Sequence, residues 1–219
     1  MTHEQLLLVV GAGGFGREVY TWLSQTIKDD PKYKIAGFLD DNVAKAQEEL
    51  DKRRYPHEVV GTIQDYHPQG NESLVMGIFG PVAKKKCVEQ LRKRGARFYT
   101  LVHPDTIIGH DVRIGEGCVI CPYCVLANDS KIGNFISLNT NSTIGHDSDI
   151  GDFTSINGGV EITGEVKVGS QCFFGVGAVV INRCTIGDRT VVGAGSVVIR
   201  NVGSDITVFG NPAKTVKGI

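Results

Sequence analysis

Ile144-Gly145-His146-Asp147-Ser148-Asp149-Ile150-Gly151-Asp152-Phe153-Thr154-Ser155-Ile156 decides the fold of this chain, because its large apolar residues fall six apart. The same beat runs outward in both directions. Val102, Ile108, Ile114, Ile120, Leu126, Ile132 and Leu138 keep it on one side, and Ile162, Val168, Phe174, Val180, Ile186, Val192 and Val198 on the other, with no insertion. A small or β-branched residue stands two before most of them (Cys118, Cys124, Ser130, Ser142, Thr154, Cys172), and glycine follows many (Gly109, Gly115, Gly133, Gly145, Gly169). A short fixed period marks a solenoid, whose units bury their faces only by stacking on one another. Six is not a helical period, and strict alternation would place many polar side chains inside. One large inward residue per hexad, with a small one at the corner, predicts a triangular parallel β-coil. Three hexads make a coil of eighteen residues, and residues 102–200 hold about five and a half coils. The glycines would supply corners where a Cβ or an ordinary φ is costly.

Residues 1–100 follow another grammar. Leu6-Leu7-Leu8-Val9-Val10 reads as a buried parallel strand, Gly11-Ala12-Gly13-Gly14-Phe15-Gly16 as a tight turn, and Arg17 to Thr26 as a helix. Lys34 to Leu39 predicts a second strand ending in Asp40-Asp41, and Ser73 to Ile78 a weaker one before a helix over 82–94. That βαβαβ order is half of a doubly wound sheet. The glycine-rich turn aims backbone N–H groups and a helix N-terminus at one point, where a phosphate is held. Asp40 lies where an acidic residue meets a ribose or sugar hydroxyl. Residues 42–58, charged and irregular, read as a surface excursion. A dehydrogenase is disfavoured: the domain is half a dinucleotide fold, and a β-coil follows it instead of a catalytic domain.

The division expected is therefore 1–100, a Rossmann-like nucleotide-binding domain, and 101–219, a β-coil with a C-terminal tail. With 23 Lys and Arg against 24 Asp and Glu, the chain gives no electrostatic case for nucleic acid or an anionic membrane. Leu6 to Val10 is far too short to span a bilayer, so a cytoplasmic protein is expected. The six cysteines sit at packing positions and not in a secreted disulfide pattern. Cys118, Cys121 and Cys124 spell C-x-x-C-x-x-C, but the hexad phase turns Cys118 and Cys124 inward as small hydrophobes, and no fourth ligand follows at a suitable spacing.

Gly11-Ala12-Gly13-Gly14-Phe15-Gly16-Arg17-Glu18-Val19, Gly37-Phe38-Leu39-Asp40-Asp41, Leu101-Val102-His103-Pro104, Leu138-Asn139-Thr140, Ile144-Gly145-His146-Asp147 and Gly210-Asn211-Pro212-Ala213-Lys214 occur together. In this the chain resembles the sugar O/N-acyltransferases of bacterial surface-glycan biosynthesis. That family includes sialic acid O-acetyltransferases and N-acetyltransferases of nucleotide-linked 4-amino-4,6-dideoxy sugars. The resemblance covers essentially the whole chain and implies that the coil is a left-handed β-helix.

It also implies roles. Acetyl transfer to an amine needs a base for the amine proton and donors for the thioester oxyanion. His146 matches the base and Asp147 its carboxylate partner, which fixes the tautomer and stabilises the imidazolium. Gly164 matches the position whose backbone N–H faces the thioester oxygen. Ser155, Val176 and Ala194 match contacts to acetyl-CoA, Pro212 the tail framing its adenine end, and Asn139 an active-site asparagine. Gly13, Gly14 and Phe15 match the loop that holds the nucleotide sugar, with Asp40 and Asp41 at its base or ribose. Relatives form homotrimers with acetyl-CoA bound between neighbours. Three departures stand out: Ser155 replaces a second histidine of many relatives, Phe15 a polar residue of some, and Gly77-Ile78-Phe79-Gly80-Pro81 lacks a common Gly-Asn pair.

The expected activity is acetyl-CoA-dependent N-acetylation of the 4-amino group of a nucleotide-linked 4-amino-4,6-dideoxyhexose, by direct attack and with no metal. O-acetylation of a free sugar such as sialic acid is the main alternative, less favoured because a free sugar has no need of the phosphate cradle. A zinc site like that of β-helix carbonic anhydrases is a weaker one. His110 and His146 both stand in Ile-Gly-His-Asp, two coils or ~10 Å apart. A third ligand is nevertheless missing, since Gly151 stands where one would be needed. A sugar-nucleotide binder without activity is the third, against which the intact His146-Asp147 pair argues.

Overall fold

The computed structural model describes residues 4–216. The described residues divide into two compact units, 4–79 with 83–101 and 80–82 with 102–216.

The first unit is a four-stranded parallel sheet with helices. Its elements are β1 (Gln5–Val10), α1 (Gly14–Ile27), β2 (Tyr33–Leu39), α2 (Val43–Lys52), β3 (Val59–Gly61), β4 (Glu72–Met76) and α3 (Pro81–Lys93). The strand order is β3-β2-β1-β4, so the sheet reverses direction of growth between β1 and β4. Ligands of such sheets bind beyond the strand C-termini at that reversal. Leu7, Leu8, Val9 and Val10 are buried on both faces, and α1 lays Val19, Tyr20, Leu23 and Ile27 against the sheet. Gly16 must be glycine, because a Cβ there would stand 1.9 Å from the Gly11 carbonyl oxygen.

The stretch read as an irregular excursion contains α2 and ends just before β3. Only Ala46 and Leu50 of α2 are buried, too sparse a stripe to show a helical period. The helix holds through the Asn42 side chain, which accepts from Lys45 N–H, and through Gln47 Oε1, which accepts Val59 N–H at 2.8 Å.

The second unit is the hexad coil. Strands two residues long pair with those eighteen residues on, Ser137 with Ser155, Thr143 with Glu161 and Lys131 with Asp149, all parallel. Three faces result. Face 1 contains Val119–Ile120 to Val191–Val192, face 2 Ile107–Ile108 to Val197–Val198, and face 3 Arg113–Ile114 to Thr185–Ile186. Ile120, Leu126, Leu138, Ile144, Ile156, Ile162, Phe174, Val180 and Val192 are wholly buried inside.

The corner residues bind one coil to the next. Ser142 Oγ donates to Asn157 O at 2.8 Å and accepts Val160 N–H, and Ser148 and Thr154 repeat the pattern. Cys118, Cys124 and Cys172 donate to the carbonyls of Gly133, Asn139 and Gly187 in the same way. These cysteines act as serines do at the other corners, and burial pushes the thiols of Cys124 and Cys172 up to about 11.

The glycines after the aliphatic residues serve clearance and not φ. A Cβ on Gly145 would stand 2.4 Å from the Thr163 carbonyl carbon. The left-handed turn falls two residues later, on Asp111, Tyr123, Asp129, Phe135, Asn141, Asp147, Phe153 and Glu165, each with φ between 47° and 63°.

Candidate active site

His146 follows the face 2 strand Thr143–Ile144 and stands at the corner toward face 3. Its Nδ1 lies 2.8 Å from Asp147 Oδ2, and both side chains are 60% exposed. A carboxylate only accepts, so Nδ1 carries the proton and Nε2 is free to take one. The backbone hydrogen bond from Glu165 N–H to His146 O, 2.8 Å, aligns the next coil above it. That coil brings Gly164 directly over the ring: a Cβ on Gly164 would lie 2.4 Å from His146 Nε2 and 2.6 Å from Cε1. Among the described residues nothing accepts a hydrogen bond from Gly164 N–H. An unprotonated nitrogen on an exposed imidazole thus lies against a buried glycine whose N–H is given to no acceptor among the described residues. This is the pairing that proton removal and oxyanion stabilisation require.

The other site residues of the coil gather at a different edge. Val176 and Ala194 stand at the corner from face 1 to face 2, where Val176 is 61% exposed. Beside them Gly159, Gly177 and Gly195 take the left-handed position in three successive coils, and a Cβ on any of them would meet nothing within 4 Å. Tyr123 and Asn141 hold this position in the two coils before, so the backbone does not demand glycine here. The open strip is suited to a ligand or neighbour lying against main chain. Asn139 starts the same corner, with its Oδ1 held by Thr140 N–H at 2.8 Å. Ser155, by contrast, is fully buried on face 1. Pro212 helps line a cavity of about 410 Å³ together with Ile199, Arg200, Asn201 and Lys214. The coil therefore brings His146, Asp147 and Gly164 together and sets Val176, Ala194 and Asn139 across face 2 from them.

In the first unit Gly13 caps α1 with no side-chain hydrogen bond, and a Cβ on Gly13 or Gly14 would stand in open space. The N–H groups of the first turn are those that meet an anion. Phe15 packs edge-on against Phe79, centroids 4.9 Å apart, and against Trp22. Asp40 and Asp41 behave differently. Both Asp40 oxygens are committed to main chain, Oδ2 to Ala12 N–H and Oδ1 to Asn42 N–H, each at 2.9 Å, so this carboxylate ties the glycine loop to β2. Asp41 gives one oxygen to Gln64 N–H at 2.9 Å. It also lines a cavity of about 570 Å³ with Ile63, Gln64, Ile78, Lys86 and Gln90. The sequence reading missed Lys86 and Gln90; their spacing of four on α3 was the available signal.

Residues 6–91 match the family described as PglD N-terminal domain, and residues 98–128 and 165–200 match bacterial transferase hexapeptide repeats. WeeI from Acinetobacter baumannii AYE is 30% identical over 97% of this chain and all of its own, with a TM-score of 0.84. The chain belongs to the hexapeptide-repeat sugar O/N-acyltransferases. It is an acyltransferase, and its coil is the left-handed β-helix of that family. This acyltransferase is also similar to PerB from Caulobacter crescentus, solved with CoA and GDP-perosamine. Identity there is 28% over 96% of each chain, with a TM-score of 0.84. The acetyltransferase domain of PglB from Neisseria gonorrhoeae FA1090 is 25% identical over 97% of the acyltransferase and all of that domain, again at 0.84. No curated protein sequence matches it. Among the described residues no helix is long and apolar enough to cross a membrane, and no group of three or more His, Cys, Asp or Glu is arranged to hold a metal ion.

Proposed function

We propose that this acyltransferase moves the acetyl group of acetyl-CoA to the 4-amino group of a nucleotide-linked 4-amino-4,6-dideoxy sugar, in the cytoplasm. One observation carries the reading: the His146 ring, its Nε2 open, lies against Gly164, whose N–H is given to no acceptor among the described residues. The relatives support the substrates. PerB was solved with CoA and GDP-perosamine, the PglB domain with acetyl coenzyme A, and a histidine-to-asparagine mutant of perosamine N-acetyltransferase with CoA and GDP-perosamine.

In this reading the glycine loop around Gly13 and Gly14 and the N-terminus of α1 hold the diphosphate, and Asp41 with its cavity holds the nucleoside. Residues 1–100 serve as the acceptor domain and 101–219 as the acetyl-transfer domain. The neutral amine attacks the thioester carbon, forming the N–C bond and pushing the carbonyl pair onto oxygen. His146 removes the amine proton while Asp147 steadies the imidazolium, and Gly164 N–H meets the oxyanion. Collapse re-forms the carbonyl, breaks the C–S bond, and the sulfur leaves with its electron pair and takes the proton from His146. The pantetheine arm follows the open strip of Gly159, Gly177 and Gly195 beside Val176 and Ala194. Because that strip lies across face 2 from His146, strip and base belong to neighbouring subunits of a homotrimer.

The test is mass spectrometry of products from acetyl-CoA with UDP-, dTDP- and GDP-linked 4-amino-4,6-dideoxy sugars and free sialic acid, with His146→Ala as control. Gain of one acetyl on a nucleotide amino sugar, lost in the control, is the expected result. Acetylation of sialic acid alone would replace the amine acceptor with a hydroxyl, and no product at all would sink the reading.

A further inference from the structure

We propose that Asn182 is a catalytic residue whose side-chain amide donates the second hydrogen bond to the acyl oxygen, beside Gly164 N–H. The proposal rests on the acetyl-transfer reading above.

It comes from one repeated device of the coil. Two residues after each inward aliphatic, the side chain stands over the N–H of the residue eighteen earlier. Asn and Asp use that position to close the N–H. Asn128 Oδ1 accepts His110 N–H at 2.9 Å, Asn134 Oδ1 accepts Glu116 N–H at 3.0 Å, Asp152 Oδ1 accepts Asn134 N–H at 2.7 Å, and Asp188 Oδ1 accepts Ser170 N–H at 2.8 Å. Asn182 occupies the equivalent position over Gly164. Among the described residues it is the exception: its amide is exposed and makes no hydrogen bond, and Gly164 N–H is left open beneath it. The four closed corners set the reach of such a side chain, so Asn182 bears on whatever atom sits on Gly164 N–H.

The reacting oxygen is that atom. As the amine adds to the carbonyl carbon, this oxygen gains a full negative charge, and one backbone N–H leaves it partly unsatisfied in a site where water is displaced. Asn182 Nδ2 supplies the missing donor. An aspartate, which serves well at 152 and 188, would instead close Gly164 N–H and place a negative charge against the oxyanion. The choice of asparagine here follows from that difference, since only the amide can donate.

The test uses the full chain with acetyl-CoA and the acceptor that the wild type acetylates. Asn182→Ala is expected to lower kcat by about 100- to 1,000-fold, the range of lost oxyanion-hole donors. Asn182→Asp is expected to lower it further. Affinity for CoA, which has no acyl oxygen, stays unchanged in both when measured by titration calorimetry. Residue 182 is exposed, so thermal unfolding checks that both variants fold. An active wild type with an equally active Asn182→Ala overturns the proposal, as does a loss of CoA affinity as large as the loss of kcat. A wild type that acetylates nothing overturns the acetyl-transfer reading and this role with it. Full activity of His146→Ala would overturn the base assignment alone.

Discussion

The imidazole of His146 fills the space in which any side chain at position 164 would have to stand, with Nε2 2.4 Å from the site of the missing Cβ. Base and backbone donor are therefore held in one steric relationship, set by the eighteen-residue register of face 2. Gly164→Ala must push the ring off its seat. The expected loss in kcat is about 100-fold, the scale of a roughly 1 Å misplacement of a reacting group. Thermal unfolding should shift little, because the displaced His146 side chain is 60% exposed and swings into solvent. Wild-type kcat in the variant would show that the ring's seat has no bearing on turnover.

Asp147→Asn removes the carboxylate that fixes His146 as the Nδ1–H tautomer, since an amide serves either tautomer, its oxygen accepting from Nδ1–H or its nitrogen donating to Nδ1. Turnover should fall about tenfold with KM for acetyl-CoA unchanged. His146→Ala should lose 10²- to 10⁴-fold, the usual worth of a general base. Equal losses in the two variants would mean that the pair acts only as a unit.

Gly177→Asn probes the open strip without straining the chain, because Asn141 already takes the left-handed turn at the same corner with φ 57°. Steady-state kinetics should give a raised KM for acetyl-CoA and an unchanged kcat at saturation. An unaltered KM would move the pantetheine arm elsewhere.

All six cysteines are buried, and burial holds Cys87 at about 12 and Cys124 and Cys172 at about 11. Only thiolate reacts with disulfide reagents such as dithionitrobenzoate. The native protein should therefore release next to no colour, and the urea-unfolded protein six equivalents. Rapid labelling of a native thiol would contradict the corner role of these residues.

Burial lowers the pKa of His103 below 6.5, an effect that Asp105 only partly opposes. Asp105 N–H donates to His103 Nδ1 at 3.2 Å, a bond that needs the ring unprotonated there. The unfolded chain takes up a proton near pH 6.5 that the folded chain refuses until lower pH. Stability from this residue is full above that value and declines as pH falls below it. Urea midpoints should drop more between pH 7 and 5 for the wild type than for His103→Gln. Parallel pH dependences would remove His103 from the account.

The hexad beat made the coil legible because each strand repeats one local solution: a large residue in, a small residue at the corner, and clearance after it. Residues such as Ile144, Ser142 and Gly145 are interchangeable with their counterparts in every coil, so position in the period assigns their environment. Asp40 shows where that legibility stops. Its place after β2 matched a ribose ligand, yet its oxygens are spent on Ala12 and Asn42 N–H groups, a choice fixed by how the glycine loop folds back. α2 was hidden for a related reason: with only Ala46 and Leu50 buried, its stability comes from caps and from Gln47 reaching Val59 N–H.

Sequence alone thus determined the solenoid, the column of each residue, and the class of chemistry that a histidine beside an aspartate offers. The tertiary structure decided which N–H groups are closed and which stay open, at Gly164 above all. The physical reason is that strand and corner arise from contacts within a few residues, whereas a side chain's direction and its hydrogen-bond partner depend on the coil stacked eighteen residues away.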